Sequence, residues 1–417
     1  MTICLTSKKT WIFGLLCSFA MANLSAAGEM SGIEGALRAT VKLNPTLKAK
    51  LSEVTASGFD GDVARAQRFP SLSGQWAAND DHTRPGSVRL RQPLWAFGRI
   101  DSSINFADAS LTANQADYIQ LMRQVMDLTV TSYAHVQGSK ARLQIAEDNL
   151  QSLTKLYQQI QRRQRGELAS VADVRLALAR MLQAQSQKDR YLTELDVAME
   201  DLLSLTLVPV DAKPAIPATL LQLPVAADLA PLAQEQSAVV QLKLQRIKLA
   251  QALVARELTA SMPTVYLQGD HVFNQAFVTD KARVSIVLEA SLDGMGFSTI
   301  GRTRAADARV QASTDDLNAA RNEIRRTVTG LLSNLQLQKN LEKSQAESVT
   351  EVNAILDSYQ RQYESGFKSW LDVLNMQREL TEQRLLQVQA SNDGQVSALK
   401  LKVLIGGLDY VIDQPER

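Results

Sequence analysis

Between residues 101 and 165 apolar side chains recur three and four positions apart: Leu121, Val125 and Leu128, then Tyr133 and Val136, then Leu143, Ala146, Leu150, Leu153, Tyr157 and Ile160. That spacing predicts one helical stripe. No proline interrupts it and only one interior glycine, Gly138, falls within it. At 1.5 Å per residue the segment would extend roughly 100 Å, about three times the width of an ordinary domain. A second segment, residues 302–364, repeats the pattern through Leu317, Ile324, Val328, Leu331, Leu335, Leu341, Val349, Val352, Leu356 and Tyr359. Each stripe needs a partner along most of its length. Four shorter helical patterns can supply it: residues 32–68, 170–206, 230–260 and 370–404. The second of these stops before Pro209, Pro214, Pro217 and Pro224, and the last stops at Gly406-Gly407. Two short helices stacked end to end would then flank each long one, and the linker at 208–228 would lie as a belt at the level of the breaks.

Elsewhere the period changes to two. Val284, Ile286, Leu288 and Ala290 alternate with Arg283, Ser285 and Glu289; Leu72, Trp76 and Ala78 alternate similarly, as do Val88 and Leu90 with Arg89 and Arg91. These segments predict two hairpins, 71–79 with 87–95 and 264–274 with 281–291, together spanning 71–95 and 264–291. Strands of this length suit a tilted crossing of a bilayer. Two hairpins close no barrel, and an open sheet would leave its edge amides unpaired in lipid, so several chains would have to share one barrel. The alternative is a soluble exported rod with small β-tips.

The chain runs through this sequence of elements twice. Phe69-Pro70 and Met262-Pro263 precede the hairpins, Gly166 and Gly366 mark the far turns, and Asp173-Val174 and Asp372-Val373 follow them. Residues 28–227 and 228–417 form the two copies, too long for solenoid units. The expected fold is therefore a mixed α/β one, a duplicated helix–hairpin–helix module.

The ends and the composition narrow the function. Residues 1–27 are expected to be an export signal: Lys8 and Lys9, an apolar stretch from Trp11 to Met21, then Ser25, Ala26 and Ala27. Both cysteines, Cys4 and Cys17, fall inside it, which leaves the processed chain without a thiol. Leu16 stands before Cys17 where lipid attachment usually needs a small residue, so that signal is poor. The formal charge of +1 includes Lys8 and Lys9, and a chain near neutrality has no concentrated basic surface for nucleic acid. No later apolar run is long enough for a membrane helix. The three histidines are His82, His135 and His271. Two of them occupy equivalent hairpin positions, which duplication explains without a metal. Gly294-Met295-Gly296 and Gly406-Gly407 lack the context of a nucleotide-binding turn, and no nucleophile stands with a base. The expectation is a protein that is not an enzyme and carries no cofactor or metal.

Three stretches, in this order and spacing, make the chain resemble the TolC family of outer-membrane channels. They are Gln92-Pro93-Leu94-Trp95-Ala96-Phe97-Gly98-Arg99 entering the first long helix, Ile300-Gly301-Arg302 entering the second, and Tyr363-Glu364-Ser365-Gly366-Phe367-Lys368-Ser369-Trp370-Leu371-Asp372-Val373-Leu374 at the second turn. The resemblance implies a homotrimer with a shared 12-stranded barrel in outer-membrane lipid, four strands per chain, above a periplasmic helical tunnel. It also implies an adaptor protein and an inner-membrane partner, either an ABC transporter or a proton-driven pump. Within the family, the poor lipidation signal favours the exit duct of type I protein secretion, in the manner of large-adhesin exporters. The alternative is the channel of a tripartite drug efflux pump, with small-molecule rather than protein cargo.

The same resemblance implies roles at the tips. Asp372 matches the outer of two aspartate rings at the periplasmic constriction, and Asn375 stands where the second aspartate would be, which implies a less negative throat. Asp173, Tyr363 and Lys368 match a latch between the coiled coils, with Lys368 in place of a common arginine. Gly166 and Gly366 are expected to take left-handed turn conformations. Trp370 is read as an adaptor-facing anchor or as packing between helices.

Overall fold

The computed structural model describes residues 30–76, 86–212, 214–273, 281–291 and 293–413. The expected export signal with both cysteines, His82, and the outer ends of the first and third strands at Asn79 and Asn274 lie outside the described residues.

The described chain opens with a short strand, β1 (Met30–Ser31), and a helix, α1 (Gly32–Leu43). Where one helix to residue 68 was expected, a second, α2 (Pro45–Ala66), begins. Pro45 sits at the first helical position, and the Asn44 side chain accepts a hydrogen bond from the Thr46 amide at 3.0 Å. A proline lacking its N–H costs least at that position, so the chain can end α1 and restart in a new direction. Strands β2 (Ser71–Trp76) and β3 (Gly86–Trp95) lead into α3 (Arg99–Arg165), 67 residues without a break. After a tight turn, α4 (Val171–Thr206) runs back. A belt follows, made of β4 (Val210–Asp211), which pairs in parallel with β1, and the single-turn helix α5 (Ala218–Leu221).

The second copy opens with α6 (Ala226–Gln236) and α7 (Ala238–Thr259), separated at Ser237. It continues through β5 (Thr264–Phe273), β6 (Lys281–Glu289) and a short 3₁₀ turn (Asp293–Gly296) into the 68-residue α8 (Phe297–Glu364). Helix α9 (Trp370–Leu404) returns, and α10 (Tyr410–Asp413) closes the described chain.

Both strand-to-helix junctions end in the same backbone. Phe97 and Gly98 have φ of 48° and 85°, and Met295 and Gly296 have 56° and 90°, with Gly294 before them also left-handed at 60°. Two consecutive left-handed residues turn the strand direction onto the helix axis, and a glycine directly before the helix relieves half of the steric penalty.

Along its strand-proximal half α3 packs on α2 and α7, and along its distal half on α4 and α9; α8 packs first on α7 and then on α9. The wall is therefore one helix thick, in the order α4, α3, α9, α8 at the distal end. Its largest core lies where the helices break. There Ile33, Leu37, Met126, Val130, Tyr133, Leu202, Leu220, Leu399, Leu408 and Val411 form one buried cluster. Polar clamps close it: Tyr133 donates to the Pro214 carbonyl at 2.8 Å, and Arg123 reaches the Asp409 carboxylate and the Gln236 carbonyl, each at 2.7 Å. Two thinner clusters continue the packing, one along α7, α8 and α9 and one at the distal tips.

Candidate functional site

The four long strands form one antiparallel sheet in the order β2, β3, β5, β6. Leu72 is opposite Leu90, Leu90 opposite Gly269, and Gly269 opposite Val284; Leu267 is opposite Ile286 and Val265 opposite Leu288. One face is thereby apolar and uncovered: Leu72 is 72% exposed, Val284 74% and Ile286 72%. The other face carries a ladder of charge. Arg89 bonds Asp270 at 2.6 Å, Arg91 bonds Glu289 at 3.0 Å and Gln268 at 2.9 Å, and the Arg91 guanidinium lies over the Tyr266 ring. Among the described residues no helix is long and apolar enough to cross a membrane. An apolar face with nothing packed on it, backed by a satisfied polar face, is what a lipid-facing pore wall requires. Among the described residues the outer edges of β2 and β6 have no strand partner.

At the other end of the molecule lie the two turns, α3–α4 and α8–α9. Here the structure changes one expectation. Gly366 has φ +81°, but Gly166 has φ −89°, and the left-handed residue of the first turn is Glu167 at +61°. Hence Glu167, not Gly166, is the counterpart of Gly366. The amides of Gly166 and Ser365 bond the carbonyls of Arg162 and Arg361, and those of Leu168 and Phe367 bond Arg163 and Gln362. Both turns then run the same distance to a capping box, Ser170 with Asp173 and Ser369 with Asp372. In each, the serine side chain accepts from the aspartate amide and the aspartate accepts from the serine amide, which satisfies two otherwise free donors at the helix start.

Further along the helices the two hairpins are joined where Asn149 Oδ1 accepts from the Thr381 hydroxyl at 3.1 Å, and close to the turns two more contacts join them. The Trp370 indole N–H donates to Asp173 Oδ1 at 3.0 Å. Arg163 donates to the Tyr363 carbonyl at 3.2 Å and lies over the Tyr363 ring at 4.2 Å. The Ser170 hydroxyl, then the Ser170 amide, then the Trp370 indole hold the Asp173 carboxyl below the usual carboxylate range. Lys368, expected in the latch, instead places its ammonium 4.4 Å from the centre of the Tyr359 ring on its own hairpin. Trp370 is buried in the distal cluster with Tyr363, Ile160 and Leu156, so it packs between helices and is no outward anchor. Arg163 was missed, since its partner lies 200 residues away. The only local signal was an arginine in the last turn of a helix.

Asp372 accepts from the Ser369 amide and hydroxyl through Oδ2, both at 3.1 Å. Asn375, one turn further along α9, is exposed and borders a cleft of about 340 Å³ with Asn149, Arg180, Gln183 and Arg378. Among the described residues no group of His, Asp or Glu side chains is placed to hold a metal.

A family model for outer membrane efflux proteins matches residues 37–206 and 229–407. The chain belongs to that family. Two relatives from Pseudomonas putida, the solvent efflux pump outer membrane protein SrpC and the toluene efflux pump outer membrane protein TtgI, are each 26% identical over 377 residues. Each alignment covers 83% of this chain and 78% of the relative. Among solved structures, the outer membrane protein VceC of Vibrio cholerae superposes with a TM-score of 0.75 at 15% identity, covering 90% of this chain and 96% of the other. The open state of the MtrE channel of Neisseria gonorrhoeae gives 0.73 at 17%, covering 90% and 89%. As an outer membrane efflux protein the chain has the mixed α/β TolC-like fold, with its strands in the outer membrane and a large periplasmic helical portion. Its family comprises channels rather than enzymes.

Proposed function

We propose that the protein is the exit duct of a tripartite efflux pump for apolar small molecules. In this reading it acts as a homotrimer and docks an adaptor and an inner-membrane pump at its periplasmic end. The two-faced sheet carries the reading: its edges β2 and β6 are open and its apolar face is bare, which suits closure by β6-to-β2 pairing between chains. Three copies would give a 12-stranded barrel with the Arg89–Asp270 and Arg91–Glu289 ladder facing water. The cargo class follows the relatives, which are named for solvent and toluene efflux. Type I protein secretion, favoured by the sequence alone through the poor signal at Cys17, gives way to efflux on that ground.

Conduction needs no chemical step. The wall supplies a path, and the tips supply a gate. Asp372 and Asn375 would border the constriction, and the bonds Trp370–Asp173 and Arg163–Tyr363 would hold the two hairpins of each chain together at rest. Opening requires the α8–α9 tip to swing from the α3–α4 tip, which breaks both contacts while each capping box stays intact within its own hairpin. The test is expression in a Gram-negative host lacking its own channel of this type, together with a cognate adaptor and pump. Restored toluene tolerance supports the reading, as does a step conductance of the purified protein in a planar bilayer. Restored export of a secretion-signal protein without solvent tolerance would return the duct to type I secretion.

A further inference from the structure

We infer that the α3–α4 tip is a seat for an acidic protein surface, and that the α8–α9 tip, built on the same backbone, is not. This deepens the adaptor-docking reading above and rests on it.

Since Glu167 corresponds to Gly366, the two tips can be compared position by position. Arg162 matches Arg361, Leu168 matches Phe367, Arg163 matches Gln362, Arg165 matches Glu364, and Arg175 matches Leu374. Against this trend Glu167 matches Gly366 and Ala169 matches Lys368, which still leaves the first tip the more cationic. One tip has therefore gained two cations where the other carries an anion and an apolar residue. Arg163 is occupied by Tyr363, but the side chains of Arg162, Arg165 and Arg175 are exposed and make no ion pair or hydrogen bond among the described residues. They lie on the same helix–turn–helix segment as Leu168, 79% exposed, and the exposed Val171.

Stability does not explain the set. Arg162 and Arg165 lie in the last turn of α3, where cations complement the helix dipole. Arg175 lies near the start of α4, where a cation gains nothing from that dipole, and like charges on one tip repel one another. A guanidinium fork is suited to binding a carboxylate through two parallel hydrogen bonds. Cations around a protruding leucine thus fit a partner with carboxylates around a small apolar hollow. A flat anionic lipid surface fits less well. The α3–α4 tip offers Leu168, Val171 and the less exposed Leu176 as apolar area, and its own exposed Glu167 would face such a surface.

The test uses the full-length protein in detergent and two designed helical-hairpin peptides, one with a Glu/Leu tip and one with a Lys/Leu tip. Binding is read by fluorescence anisotropy at low and at physiological salt. The Glu/Leu peptide should bind at least about tenfold more tightly, and the preference should shrink as salt rises. Arg162→Glu with Arg165→Glu should abolish the preference and Arg165→Gln should reduce it, while Arg361→Glu should leave it unchanged. Equal binding of the two peptides would overturn the inference. So would equal loss in Arg361→Glu, or salt-sensitive binding to phosphatidylglycerol vesicles with no peptide preference. Planar-bilayer conductance of the same preparations separates the two readings. A conducting protein that does not discriminate between the peptides refutes only the acidic seat, whereas a protein that never conducts refutes the duct.

Discussion

Replacing Gly138 with alanine would place a methyl carbon 3.0 Å from both Cγ and Oδ1 of Asn392 and 3.4 Å from its Cβ, where α3 meets α9. Two effects oppose each other. Alanine in a helix interior gains about 1 kcal/mol over glycine. Overpacking a filled contact costs about 1–3 kcal/mol. Asn392 is buried and its Cβ itself lies 3.4 Å from the added carbon, so it has little room to yield. The net expectation is a loss of about 0–2 kcal/mol per chain for Gly138→Ala. Asn392 Oδ1 is itself buried without a hydrogen-bond partner, a state that costs about 1–3 kcal/mol. Gly138→Ala combined with Asn392→Ala should therefore keep the helix gain and lose the clash. The assay is urea unfolding of the detergent-solubilised protein followed by circular dichroism, at fixed protein and detergent concentration. The two substitutions should be non-additive by about 1–3 kcal/mol, the size of the clash, with the double variant more stable than Gly138→Ala alone. A raised midpoint for Gly138→Ala alone, or additivity within about 0.5 kcal/mol, would refute the close-packed contact.

Trp370→Phe keeps most of the ring packing but removes the donor to Asp173; loss of that charge-assisted bond at a partly exposed site, about 1 kcal/mol, should lengthen open lifetimes in single-channel recordings. Because the Asp173 carboxyl is held below its ordinary range, the proposed latch would be complete at neutral pH and weaken as pH falls through that lowered value. Open probability should rise in acid, and Asp173→Asn should flatten the dependence. Glu167→Gly should stabilise the first tip by about 1 kcal/mol in urea unfolding, since it relieves a left-handed residue. Gly366→Ala should destabilise the second by a similar amount, although no atom lies within 4 Å of the added carbon. Ile286→Arg on the bare apolar face should cost about 2–4 kcal/mol and reduce the protein recovered from outer membranes, while Ser285→Arg on the polar face should be tolerated.

Features governed by local chemistry were legible in the sequence. Proline spacing and the Gly406-Gly407 pair bounded α4 and α9, and period-two alternation located β2, β3 and β6 of the four-stranded sheet. The break at Pro45 carried a visible signal, a proline preceded by Asn44, but the continuous apolar pattern around it read as one helix. The break at Ser237 had no such signal: its side chain makes no capping bond. Gly166 was misassigned because glycine is the usual left-handed residue, and the structure puts Glu167 there instead. Contacts between hairpins were the least legible. Which of Lys368 or Trp370 meets Asp173, and that Arg163 covers Tyr363, depends on how two segments about 200 residues apart sit side by side, and nothing in either segment encodes that on its own.

The open edges of β2 and β6 lie on different elements, so the proposed joining of one subunit to the next would be a head-to-tail, heterologous contact with no dyad to end it. Ring closure then depends on the angle at which each subunit offers its trailing edge. A substitution that alters this curvature would leave every protomer well folded and change only how many of them meet, producing rings of the wrong size or open ribbons that hold no pore.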